Sequence, residues 1–229
     1  VTPVSAFIEK LGPEILTRTY EHVYLVFLAM VAAVVIALPL GVCLTRTRWA
    51  RLAGVVMGSA GTIQTVPSLA LISFIVLVFA LVRLPTIGVL PALVALVLYA
   101  LLPILRNTYT GIRQVDPSIV EVARGMGMKP RQVLFSVELP LSLPVIMAGV
   151  RISTVWTIGI ATLCGLIGAG GLGDLILKGL RSIRMDYLIA GTLPAAALAL
   201  ASDAALGWLE GWLTPRGVSR FSAGSAGGG

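Results

Sequence analysis

Apolar positions in this sequence come in long runs, without the two-residue alternation of a half-buried strand or the one-sided stripe of a soluble helix. The first run covers residues 23–44 and ends against Arg46, Arg48 and Arg51. The second, 52–82, is too long for one simple crossing, and Pro67 divides it behind a polar patch of Gln64, Thr65 and Ser68. The pattern predicts a broken helix or a helix with a re-entrant part there. Irregular backbone at membrane depth is tolerated only where it faces protein or a water-filled path. Gln64, Thr65, Pro67 and Ser68 are therefore candidate path residues, with an ordinary proline kink as the plainer reading. Runs at 89–105, 143–167 and 187–213 complete about five predicted transmembrane helices. The expected fold is all-α, a single membrane domain over residues 1–221. The tail at 222–229 holds only Ser, Ala and Gly and is expected to be disordered.

One polar stretch, residues 107–138, interrupts this pattern. Asp116 is a good helix N-cap and Pro117 a natural first helical residue. That helix is expected to run to Arg124 and stop at Gly125 and Gly127. Lys129 and Pro130 start a second helix in the same way, and Pro140 is expected to end it. Ile119, Val122 and Ala123 are predicted to share one apolar face of the first helix; Val133, Leu134 and Val137 do so on the second. Helices this short are marginal alone and need a partner surface.

Composition excludes a water-soluble globule. Of 229 residues, 57% are hydrophobic and 12% charged, with a mean hydropathy of +0.98. A soluble domain carries about a quarter charged residues. The net charge of +7 is better explained by loop charges that fix topology than by nucleic acid, which is not expected as a partner. The loops after the first and third spans carry Arg46, Arg48, Arg51, Arg106, Arg113, Arg124, Lys129 and Arg131, and the tail adds Arg216 and Arg220. Lys10, Arg18, Arg83, Lys178, Arg181 and Arg184 lie on the other side. This bias predicts a plasma-membrane protein with an outside N-terminus and a cytoplasmic C-terminus. The first apolar run is long enough to span and lacks a small-residue cleavage site at its end, so no cleavable signal peptide is expected. Cys43 and Cys164 then fall at opposite membrane faces and cannot pair.

The loop at 116–140 carries a recognisable spacing. After Glu121-Val122-Ala123 come three intervening residues and Gly127, nine more and Val137, and one more before Leu139-Pro140. This resembles the EAA loop of ABC importer permeases, with Val122 and Val137 as mild departures. The resemblance implies a type I ABC importer permease fold and a coupling helix seated in a separate ATPase subunit. Glu121 and Gly127 carry over directly from the motif, as do Ala123, Leu139 and Pro140. Arg124, Met126, Met128 and Lys129 flank the corner and are expected to touch that partner. Further stretches are similar to the permeases of glycine betaine, carnitine and choline uptake systems: Glu21-His22, Gln64 to Leu71, Leu98 to Tyr109, and Ile167 to Gly173. The implied function is import of quaternary-ammonium osmoprotectants such as glycine betaine, carnitine, choline and proline betaine. The implied partners are an ATPase dimer holding ATP and Mg, a second identical or homologous permease chain, and an extracytoplasmic binding protein.

Other signals weigh less. Gly168 to Gly173 formally fits a dinucleotide-binding glycine pattern, but a helix-length run precedes it and no βαβ unit surrounds it. No phosphate-binding G-x-x-x-x-G-K-[ST] segment exists, so ATP hydrolysis, if it drives transport, belongs to another chain. His22 has no metal-ligating neighbours in sequence; no metal or cofactor is expected on this chain. Arg151 and Asp203 lie deepest in apolar runs at similar depth, which predicts an intramembrane ion pair. Quaternary ammonium groups are recognised by aromatic faces; Tyr99 and Trp156 are the candidates along the path. Trp49, Trp208 and Trp212 read as interface anchors. Methionine-type or other amino-acid importers share part of the resemblance and stand as the alternative. A secondary transporter would need internal repeats and coupling-ion residues, and a membrane scaffold leaves the loop spacing unexplained.

Overall fold

A computed structural model describes residues 3–46, 48, 50–63 and 65–214. The described residues are almost entirely helical: α1 Pro3–Leu44, α2 Ala50–Ile63, α3 Ser68–Leu81, α4 Val89–Arg113, α5 Pro117–Gly125, α6 Pro130–Val133, α7 Leu139–Leu163, α8 Leu172–Ser182 and α9 Met185–Leu213. A π turn, Leu134–Glu138, joins α6 to α7, and a 3-10 turn, Cys164–Ile167, follows α7. Among the described residues, four helical stretches are long and apolar enough to cross a bilayer: Glu9–Leu44, Val89–Arg113, Pro130–Ile167 and Met185–Leu213. The fifth expected span is the broken one. α2 and α3 have 14 residues each, about 21 Å of helix, so neither alone covers a hydrocarbon core of about 30 Å. Pro67 is the N-cap of α3. Its fixed φ and missing N–H suit the start of a helix and disfavour the interior of one.

α4 is the centre of the bundle, with α1 and α7 against it. Small residues bring these backbones close, as membrane helices require when water supplies no driving force. Ala92, Ala95 and Ala100 of α4 are buried. A Cβ on Gly41 of α1 would lie 2.7 Å from Thr108 Cβ, and one on Gly149 of α7 would lie 2.6 Å from Asn107 Cβ. Ser153 Oγ of α7 donates to Ala100 O of α4 at 2.9 Å. On the far side of α7, α9 packs against both α7 and α8. α3 leans on α4, and Tyr99 O–H of α4 donates to Val66 O at the break, 2.9 Å away.

Several boundaries differ from the sequence expectation. α1 starts at Pro3, twenty residues before the apolar run at 23. Its early turns are held by charge at the end of the bundle far from the 116–140 loop. Arg18 Nη1 reaches Glu21 at 2.9 Å and Asp174 at 3.0 Å, and Gly171 N–H donates to Glu21 at 2.9 Å. Burial pushes the Asp174 carboxyl above the usual carboxylate range, partly offset by Arg18. α8, which the sequence offered only as a glycine-rich connection, buries Leu172 and Leu175 with Leu11, Tyr187 and Ala190 in a second small core. Gly168, Gly170 and Gly171 all take positive φ before it, a backbone that lets the chain turn sharply from α7 into α8.

Pro140 does not end the second loop helix. The π turn absorbs it: Leu139 N–H reaches back to Leu134 O. One residue more per turn shifts the hydrogen-bond register just where the proline has no N–H to offer. α6, the π turn and α7 therefore form one continuous helical rod.

Candidate functional site

Two regions gather the chemistry. The first is the loop between α4 and α7. Asp116 Oδ1 accepts from Ser118 N–H at 2.8 Å and caps α5. The Ser118 side chain first, and its N–H second, hold the Asp116 carboxyl below the usual carboxylate range. At the other end, Gly127 N–H donates to Arg124 O and Met128 N–H to Ala123 O. This double bond pattern, with Gly127 at φ +83°, is the Schellman ending of a helix. Lys129 N–H donates to Gln132 Oε1 at 2.8 Å, so α6 caps itself from its first turn.

The corner splits the apolar residues of α5. Ala123 is buried at 2% exposure, and Val133 of α6 is buried too. Ile119, Val122 and Met126 point outward, Met126 at 72% exposure. The expectation that Ala123 shares a face with Ile119 and Val122 is thus corrected. Ala123 is the small residue turned inward, and the outward stripe continues to Met126 at spacings of three and four. Glu121, Arg124, Gly127 and Lys129 are exposed beside it, while Met128 is half-buried at the corner. Glu121 makes no hydrogen bond or ion pair among the described residues; it lines a polar cavity of about 440 Å³ with Arg46, Arg113, Arg124 and Glu138.

Leu139 and Pro140 lie at the base of the loop, half-buried at the start of α7. Just before them, Glu138 is buried, and both its oxygens accept from Arg46 at the end of α1, at 2.7 and 3.3 Å. Sequence reading missed this pair. Glu138 falls at an unspecified position of the loop spacing, and Arg46 was counted only as a topology charge.

The second region lies within the spans. Arg151 Nε and Nη2 donate to the two Asp203 oxygens at 3.0 and 3.1 Å, a bidentate pair between α7 and α9. Arg151 Nη1 also donates to Glu210 at 3.1 Å. Glu210 was not named from the sequence, although it lies seven residues beyond Asp203, two turns along the same face. Gly207, between them, leaves room for the guanidinium: a Cβ there would sit 3.3 Å from Arg151 Cζ. Trp156 is half exposed and lines a cavity with Arg151 and Asp203.

The remaining path candidates are not gathered there. Thr65, Pro67 and Ser68 lie at the α2–α3 break, while Gln64 is outside the described residues. Tyr99 is buried, and its hydroxyl is committed to Val66 O. His22 is also buried; its Nε2–H donates to Ile158 O at 3.1 Å, and Nδ1 has no partner among the described residues. Trp208 and Trp212 are largely exposed on α9, and Trp49 lies outside the described residues.

A bundle of long apolar helices with a capped, outward-facing helical corner defines a membrane transport component. Residues 34–216 match the family described as binding-protein-dependent transport system inner membrane component, and the chain belongs to that family. Among curated relatives, it is 46% identical to the choline transport system permease protein OpuBB of Bacillus subtilis (strain 168) over 94% of this chain and 95% of the relative. It is 43% identical to the carnitine transport permease protein OpuCB of Listeria monocytogenes, again over 94% and 95%. The glycine betaine/carnitine/choline transport system permease protein OpuCB of Bacillus subtilis (strain 168) is 44% identical over 93% and 94%. Among solved structures, an inward-facing MetNI methionine ABC transporter matches with a TM-score of 0.80 at 23% identity, over 90% of this chain and 99% of that one. An amino acid ABC transporter with histidines matches with a TM-score of 0.75 at 17% identity, over 92% and 98%. These likenesses show the fold.

Proposed function

We propose that this chain is the membrane subunit of an ATP-driven importer that carries quaternary-ammonium osmoprotectants (glycine betaine, carnitine, choline, proline betaine) across the plasma membrane. The observation that carries the docking role is the exposed stripe Ile119, Val122 and Met126, which ends on the glycine corner of a short, capped helix. Apolar side chains held out on a rigid helix in a polar loop fit a groove of another protein. The names of relatives more than 40% identical along nearly their whole length support the cargo class.

On this reading the loop lies in the cytoplasm, with the N-terminus outside and the C-terminus inside. A separate ATPase dimer binds ATP and Mg and receives α5. Its closure pushes the corner, and the continuous rod from Pro130 to Ile167 carries that push into the membrane. A second permease chain, identical or homologous, completes the pathway, and an extracytoplasmic binding protein delivers the cargo. The broken segment at Thr65, Pro67 and Ser68, with Trp156, belongs to the path. Glu121, Arg124, Gly127 and Lys129 belong to the ATPase contact. Residues 1–221 act as one permease domain.

The test is co-purification with an ABC-type ATPase subunit expressed together with it, alongside uptake of labelled choline and glycine betaine. Glu121→Ala and Gly127→Asp are expected to weaken association and uptake together. Unchanged association and uptake in both variants would remove the coupling role. Uptake of amino acids in place of quaternary ammonium compounds would remove the cargo assignment.

A further inference from the structure

Asp203 poses a physical problem. It lies ten residues before the end of α9, about 15 Å into the span, yet its side chain is 46% exposed. A carboxylate at that depth is not stable against hydrocarbon and faces a bundle interior or a water-filled cavity. The side of the α7–α9 crevice that carries Asp203 is therefore turned toward protein or water. The cavity on this side has a volume of about 350 Å³ and is lined by Ala148, Arg151, Ile152, Val155, Trp156 and Asp203.

The ion cluster that borders this cavity carries a surplus negative charge. Arg151 and Asp203 line the cavity and balance each other, while Glu210, outside the lining and two turns further along α9, bonds the same guanidinium and adds a second negative charge. Trp156, 51% exposed, shares the lining with Arg151 and Asp203. A quaternary ammonium group donates no hydrogen bond. It is held by an aromatic face and by a negative field, and tryptophan is the best such face. The remaining walls, Ala148, Ile152 and Val155, are apolar and suit its methyl groups.

We propose that this cavity is a contact site for the quaternary ammonium group of the cargo within the membrane, with Trp156 as the face and the Arg151–Asp203–Glu210 cluster as the source of negative field. The proposal rests on the osmoprotectant reading given above. The site is built to be weak. It has one aromatic face in place of a cage, and most of the Asp203 charge is already spent on Arg151. A site on a transport path must hold its cargo loosely enough to let it leave.

The first measurement is choline uptake by the complete transporter in proteoliposomes, with co-purification of the ATPase as the control for folding and assembly. Trp156→Phe keeps an aromatic face and is expected to retain uptake within about threefold, while Trp156→Leu is expected to lose about 3- to 30-fold. Uptake by the assembled Leu variant equal to wild type overturns the site and leaves the cargo assignment standing. A wild-type transporter that imports no quaternary ammonium compound overturns both. The second measurement needs no transport. In the permease carrying Trp49→Phe, Trp208→Phe and Trp212→Phe, the emission of Trp156 is titrated with tetramethylammonium chloride against sodium chloride. A saturable change with tetramethylammonium alone, weakened by Asp203→Asn, is expected; no difference between the two salts overturns the site.

Discussion

Gly127 turns α5 back on itself because it takes a φ of +83°, which closes two hydrogen bonds onto Arg124 and Ala123. No atom lies within 4 Å of where its Cβ would be, so any side chain fits in space and only the backbone resists it. Asparagine tolerates the left-handed region; β-branched residues do not. Gly127→Asn is therefore expected to melt close to wild type, and Gly127→Val to lose about 1–2 kcal/mol by straining the corner, read as thermal unfolding of the purified permease; lost ATPase association in Gly127→Asp then reports the partner contact and not the turn. The cap at Asp116 and this corner are legible in the sequence because capping chemistry is local. Glu210 is not, because it lies near the end of α9, where a carboxylate reads as an ordinary interfacial charge until the reach of Arg151 is known. Ala123 was misassigned because spacing marks a helix face without saying which way that face turns.

Among the elements, the π turn at Leu134–Glu138 and the Arg46–Glu138 pair act together. The pair ties the base of the loop to the end of α1 across 92 residues of chain. A push on the corner thus reaches α1 as well as α7. Arg46 is about one-third exposed, and solvent weakens the bond accordingly. Arg46→Ala leaves the buried Glu138 carboxylate without its partner and is expected to cost about 1–3 kcal/mol, between the values for surface and buried pairs. Arg46→Ala/Glu138→Gln is expected to recover part of that loss. Thermal unfolding of the purified permease reads both; equal melting of all three proteins would show that the pair holds nothing. The long apolar helices were legible as runs, and so was the break at Pro67. The helical extension of α1, the existence of α8 and the π turn were not. The first two depend on partners distant in sequence, Asp174 for Arg18 and the second small core for Leu172 and Leu175, and the π turn on a register shift that lets the helix run through Pro140.

For the whole molecule, orientation is the property most open to test. Cys43 is exposed near the end of α1, and Cys164 is buried after α7. In the proposed orientation, a membrane-impermeant maleimide is expected to label Cys43 in inside-out vesicles and not in intact cells, with Cys164 silent in both. Labelling from the outside would invert the topology. The bundle's membrane character was legible from hydropathy, as four long apolar spans and the broken segment at Pro67. The arrangement of α1 and α7 on α4 was not, because close packing through Gly41, Gly149 and Ser153 leaves no pattern that hydropathy can register.

The unbroken rod from Pro130 to Ile167 also fixes which length changes the chain can accept. Each residue added to or removed from a regular helix rotates everything beyond it by about 100°. An insertion between α6 and α7 would swing Arg151 and Trp156 away from α9. The π turn is the exception. It already holds one residue more than an α-helical turn, so deleting one there is expected to convert it to ordinary helix with little change in phase. The turn is a slack link of one residue in an otherwise inextensible shaft.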